Sequence, residues 1–109
     1  MSQPDGEPAA NRLLIAGVVH RTPDTRSAPS GIPLTRFTLE HRSQRQEAGL
    51  ARPVTCRLRV LAAGDVFSAV VGRLRAGSQV RVSGFLHQGV SRYGRGEPEL
   101  HVEHIELLD

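Results

Sequence analysis

From Leu34 onward the chain alternates. Phe37 and Leu39 fall on one face of an extended strand, and Arg36, Thr38, Glu40 and Arg42 on the other. Pro29, Gly31 and Pro33 precede it, so a turn feeds this strand. One face can enter a core, while the other stays wet and displays arginine. The same period returns over residues 53–63. There Val54, Cys56, Leu58 and Val60 alternate inward against Thr55, Arg57, Arg59 and Leu61. Cys56 is accordingly expected as a small buried hydrophobe.

Residues 11–21 break this rule. Leu13, Leu14, Ile15, Ala16, Val18 and Val19 make the segment apolar on both faces. Such a strand is expected to be covered twice, by the core on one side and by a partner subunit on the other. Gly17 in its middle predicts a bend or bulge of the kind that barrels use. Residues 22–33 read as a turn region, and the polar residues 43–52 as a loop.

Gly64 and Asp65 predict the start of a short helix, with Asp65 as its N-cap. Phe67, Val70, Val71 and Leu74 follow at helical spacing and face a core; Ala76 and Gly77 end the helix. Residues 79–87 form the fourth strand, with Val80, Val82, Gly84 and Leu86 on one side. Arg81, Ser83, Phe85 and His87 take the other, where Phe85 suits either a dimer contact or a binding face. Residues 88–98 are too rich in glycine for regular structure and read as a flexible basic finger. The fifth strand covers 99–107, with a phase shift near His104 that predicts a bulge.

Three strands, one short helix and two further strands make the pattern of an all-β, five-stranded Greek-key OB-fold barrel. One domain is expected over residues 11–109, behind a disordered lead-in of residues 1–10. In an OB-fold, oligonucleotides bind across strands two and three and the loops after strands one and four. Arg36, Arg42, Arg57 and Arg59 map to that strand face. Arg21 and Arg26 lie near the first loop, and Arg92, Tyr93 and Arg95 in the second.

Charge strengthens this picture. All fourteen basic residues are arginines lying between Arg12 and Arg95, against four acids in that span, a balance of +10. Such a middle favours a polyanionic partner, although arginine in place of lysine also serves simply as a solvated surface. A single cysteine excludes an internal disulfide and fits a reducing cytoplasm. No run is long enough to cross a membrane and no secretory signal is expected. His101 and His104 are three apart, so they face opposite ways unless the bulge intervenes. With no cysteine or carboxylate at ligand spacing, neither a metal nor another cofactor is expected.

Several short runs, in order, resemble the primosomal replication protein N family of bacteria. They are Asn11-Arg12-Leu13, Ser30-Gly31-Ile32-Pro33, Leu39-Glu40-His41-Arg42-Ser43, Glu47-Ala48-Gly49, Gly84-Phe85 and Ile105-Glu106-Leu107. The resemblance spans about residues 11–108, and the run from Leu39 to Ser43 is its most specific part. It implies an OB-fold homodimer without enzymatic activity that acts in replication restart. The implied partners are single-stranded DNA, the restart helicase primosomal protein N prime, and a helicase-loading factor. By position, Arg26, Arg42 and Arg92 match basic DNA-contacting places in the family, and Arg95 adds charge nearby. Two departures are visible. Leu50 and Thr55 stand where enterobacterial members bring an aromatic pair, and Val90 and Glu97 where basic residues are expected. Base stacking on such rings is worth ~1–3 kcal/mol per base, so weaker single-strand affinity is expected unless Tyr93, Phe85 or arginine compensates.

Three alternatives remain from the residues. A general single-stranded DNA-binding protein is one, although such proteins usually carry a long flexible tail ending in acidic residues, and here Asp109 directly follows the last expected strand. An OB-fold enzyme needs clustered carboxylates, which the basic middle lacks. A protein-interaction module would dock an acidic partner on the same arginine face.

Overall fold

Five alternating strands close on one another around a single core. The structure, a computed structural model, describes residues 9–109. The expected lead-in of residues 1–10 lies, through residue 8, outside the described residues. Around the barrel run β1 (Leu13–Val19), β5 (Gln79–His87), β8 (Glu99–Leu107), β4 (Leu50–Ala63) and β3 (Pro33–Glu47). β1 pairs with β5 and then, at Val18 and Val19, with Glu40 and Leu39 of β3, which closes the ring. This is the expected OB barrel; its second to fifth strands are β3, β4, β5 and β8. The two halves of the ring meet where β4 pairs in parallel with β8.

Val19, Phe37, Leu39, Val60, Ala62, Leu74, Val80, Val82, Leu100 and Val102 fill the interior. Each buried aliphatic side chain here contributes roughly 1.5–3 kcal/mol. Gly17 sits where β1 changes partner, and a Cβ there would run into the Glu40 carbonyl oxygen. The expected bulge is present: Ser83 pairs with His104 and Gly84 with Val102, leaving Glu103 as the additional residue. It also brings His101 and His104, opposite Phe85 and Ser83, to one face of the sheet.

Two runs of the resemblance have local structural work. His41 Nδ1 donates to the Ala16 carbonyl at 2.6 Å, which leaves Nε2 to accept from the Ser43 hydroxyl at 2.9 Å. That ties β3 to β1 beside the closure. The Asn11 side chain exchanges two hydrogen bonds with the Leu86 backbone, both 2.9 Å, and so extends the β1–β5 ladder.

The structure corrects several expectations. Residues 43–52 are not a loop: β3 and β4 pair without interruption up to Glu47 and Leu50. Ala48 (φ 53°) and Gly49 (φ 78°) form a two-residue turn of the type that matches strand twist. The segment is polar on both faces because this hairpin arm projects past the barrel into water. Cys56, on the same arm, is therefore exposed rather than buried. Leu61 faces outward as its phase predicts, yet it is buried, because Arg36 and His101 flank it in the neighbouring strands.

The turn region contains β2 (Asp24–Ser27), an edge strand held by the start of β3. The helix is shorter than its periodicity suggested: a 3-10 turn over Asp65–Phe67 leads into α1 (Ser68–Val71). β-Branched Val70 and Val71, followed by Gly72, extend it poorly. Gly64, not Asp65, takes the cap position, without a side-chain hydrogen bond. The finger is a ribbon, β6 (Val90–Ser91) paired with β7 (Gly94–Arg95). Its glycines permit the tight turn rather than preventing pairing.

A Cβ on Gly84 would collide with the His101 carbonyl oxygen at the bulge, whereas one on Gly89 meets nothing within 4 Å. Gly84→Ala is therefore expected to lower unfolding stability by about 1–3 kcal/mol. Gly89→Ala should stay within about 0.5 kcal/mol. Urea midpoints of the two variants check this.

Candidate nucleic-acid interface

The outward residues of β3 and β4 meet in a fixed register. Arg36 lies opposite Leu61, Thr38 opposite Arg59, Glu40 opposite Arg57 and Arg42 opposite Thr55. The parallel pairing then sets Glu99 of β8 beside Arg59, and His101 beside Leu61. Arg36, Arg57 and Arg59 line an open concavity of about 630 Å³ together with His20 and Arg21 from the segment after β1. Glu97 and Glu99 complete its rim.

Two glutamates organise the arginines. Arg36 Nε donates to Glu99 Oε2 at 3.0 Å, and Arg59 Nε lies 3.8 Å from the same oxygen. Arg57 Nε donates to Glu40 Oε2 at 3.1 Å, with Arg42 3.9 Å from the other oxygen. The Arg57 hydrogen bond, helped by the charges of Arg57, Arg42 and His20, holds the Glu40 carboxyl below its ordinary value, against some desolvation. These pairs aim the guanidinium groups over the sheet. They also reduce the charge of the four arginines to a local net of +2.

The remaining candidates are spread more widely. Arg26 stands on β2, 2.8 Å from Asp24, and shares a second groove with Arg36 and Arg59. Arg42 lies out along the hairpin arm. Arg92, Tyr93 and Arg95 belong to the ribbon, where the Arg92 guanidinium carbon sits 5.0 Å from the Tyr93 ring centroid. Tyr93 is 84% exposed. Gly89, Val90, Ser91 and Gly96, at the ribbon's base, share a groove with Arg59 and Glu99. The structure thus gathers Arg36, Arg57 and Arg59, adjoins Arg26, and leaves Arg42 and the ribbon residues on flanking elements. Leu50 marks the exposed hairpin tip.

Sequence reasoning missed the glutamate partners. Glu99 opens a strand that reads as acidic overall, and only the parallel β4–β8 register carries it to Arg59. Glu40 was legible as the cross-strand neighbour of Arg57, had the hairpin register been counted back from its turn. Arg21 and His20 belong to the concavity as well.

Beside this site, His101 Nε2 is buried without a hydrogen-bond partner among the described residues. Desolvation pushes the His101 pKa below its usual value; Glu99 opposes this, while His87 and Arg36 add to it. The ring is thus neutral at neutral pH. Among the described residues no group of three or more His, Cys, Asp or Glu side chains is placed to hold a metal ion. Among the described residues no helix is long and apolar enough to cross a membrane.

Comparison with known proteins adds a family and relatives. A family model described as "Another single-strand binding protein family" matches residues 11–104. Replication restart protein PriB of Photorhabdus laumondii is 46% identical over 101 residues, covering 91% of this chain and 94% of that protein. The solved PriB structure from Ralstonia solanacearum superposes with a TM-score of 0.74 at 26% identity, over 90% of this chain and 97% of that one. The single-stranded DNA binding protein of Thermus aquaticus gives a TM-score of 0.79 at 22% identity. This chain covers 51% of its length, a likeness of fold alone.

The depressed His101 pKa carries a sign. Unfolding frees the imidazole to take up a proton below about pH 6.5, so stability is full above that pH and falls as pH drops through it. His101→Phe keeps a ring while removing this titration. The loss of stability between about pH 7.5 and 5.5 is expected to be smaller in the variant than in the wild type, measured by urea unfolding. An equal loss in both proteins would show that His101 does not contribute.

Proposed function

The chain belongs to this single-strand binding protein family, as a member of its replication restart protein PriB group, and on that premise we propose that it binds single-stranded DNA as a non-enzymatic accessory of replication restart. The observation that carries this reading is the meeting of Arg21, Arg36, Arg57 and Arg59 around one concavity on the barrel face. Phosphates would lie along those guanidinium groups, with Arg26 and Arg42 extending the track at either end. Arg92, Tyr93 and Arg95 would close over the strand from the ribbon. The fold holds these groups on paired strands, so binding requires little ordering of the protein.

The same proposal includes a protein partner, the restart helicase primosomal protein N prime, and assistance to a helicase-loading factor, in the cytoplasm. It also includes a homodimer. Leu14 and Val18, 68% and 38% exposed, lie on the outer side of β1 and give an apolar strip suited to a second copy. One OB domain over residues 11–109, with residues 1–10 as a lead-in, completes the reading.

A second reading has its own support. Glu40 and Glu99 already engage Arg57, Arg42, Arg36 and Arg59. A face so neutralised also suits a protein surface with paired charges, which would make this an interaction module with little DNA affinity.

Salt titration separates the two. Single-stranded binding should weaken steeply with salt and exceed duplex binding. Each phosphate contact contributes about −0.7 to the log–log slope. Arg57→Ala with Arg59→Ala should therefore reduce affinity and flatten the slope by roughly 1.4, leaving the unfolding midpoint near that of the wild type. Absence of binding at low salt leaves the interaction module. Retention of the helicase in a pull-down after nuclease treatment tests the protein contact. Light scattering at twice the 11.9 kDa chain mass tests the dimer.

A further inference from the structure

Two rows of side chains cross the outer face of the barrel from arginine to aromatic rings. One row reads Thr38, Arg59, Glu99 and His87 across β3, β4, β8 and β5. The next reads Arg36, Leu61, His101 and Phe85 across the same strands. At ~4.8 Å between strands, the first and last members stand roughly 14 Å apart. The rings at the far end touch one another. His101 packs 5.2 Å from Phe85 and 5.2 Å from His87, centroid to centroid.

The chain has few rings to spare. It contains three phenylalanines, one tyrosine and no tryptophan. Phe37 is in the core and Phe67 packs against it. That leaves Phe85, 37% exposed, and Tyr93, which already lies beside Arg92 on the ribbon. Phe85 is thus the one phenylalanine on the outer face of the barrel, and it is backed by His87 and His101.

We propose that Phe85, His87 and His101 form a stacking platform for the bases of a single DNA strand whose phosphates run along Arg36 and Arg59. This deepens the single-strand-binding reading and rests on it. Continuity argues for this occupant, since the two rows lead from the arginine concavity to the rings without leaving the sheet. Charge argues for it as well. Past Phe85 a groove lined by Asn11, Arg12, Ser83, Glu103 and His104 supplies a further arginine, with a carboxylate beside it, so guanidinium groups lie on both sides of the rings. Every base has a π-face, so such a platform holds a strand without selecting its sequence. Leu61, buried between Arg36 and His101 in the same row, adds apolar surface beside the rings. The neutral His101 ring adds flat apolar surface there.

Phe85→Trp gives a clean reporter, because the chain has no other tryptophan. Titration with a single-stranded oligonucleotide should quench its emission in step with binding followed by anisotropy of the labelled strand. Phe85→Ala with His87→Ala should weaken binding roughly five- to hundred-fold, with the salt slope retained because no phosphate contact is removed. Emission that stays unchanged at saturating DNA would overturn the platform, as would a double variant that binds like the wild type. Emission that follows protein concentration instead of DNA would assign the face to a second copy and equally overturn it. If wild-type protein binds strands while Phe85 reports nothing, only this inference fails. If the wild type binds none, the reading beneath it fails too.

Discussion

The short parallel contact between β4 and β8 is the constraint on which the rest of the molecule depends. It spans three register pairs, Arg59 with Glu99, Val60 with Leu100 and Leu61 with His101. Inward, Val60 and Leu100 are fully buried and join the two halves of the core. Outward, the same pairs put a carboxylate between two arginines and a histidine beside a buried leucine. Parallel strands cannot be joined by a tight hairpin, and here the connection carries α1 and β5. Barrel closure and the layout of the candidate site are therefore one event. Displacing β8 by one residue would send Leu100 to water and Glu99 toward the core.

Glu40 and Glu99 give the arginine face its character. A bare cluster of four guanidinium groups would repel itself and would hold no fixed direction. Each glutamate bridges two of them, and the planar heads are thereby set across the sheet. The arrangement also carries a cost for any anionic ligand, which must compete with carboxylates already in place. A face of this kind discriminates by geometry more than by total charge. The overall excess of arginine in the middle of the chain remains to attract a polyanion at longer range.

Much of the barrel was legible in the sequence because its physical signals are local. Alternation at Phe37 and Leu39, the two-sided apolar run at β1, and the phase shift before Ile105 each report a strand and its faces. The hairpin arm was not legible, since the residues of 43–52 are wet on both sides and so carry no alternation to read. Cys56 shared that error: its inward phase was right, but no core extends that far. The edge strand β2 exists only through its partner, which local pattern does not show. The outward placement of Arg36, Arg57 and Arg59 was legible from their phase alone. Their glutamate partner Glu99 lies 40 residues beyond Arg59 in the chain, and only the register of the closed barrel brings the two together.

The central claim is that the β4–β8 seam, with the arginines on one side and the rings on the other, is where a single strand of DNA lies. Two-dimensional NMR spectra of the protein, recorded with increasing single-stranded oligonucleotide, test this most directly. The largest shifts are expected on Arg36, Arg59, Glu99, His101 and Phe85 as one connected patch. Shifts confined to the ribbon or the hairpin tip, with the seam unmoved at saturation, would contradict it.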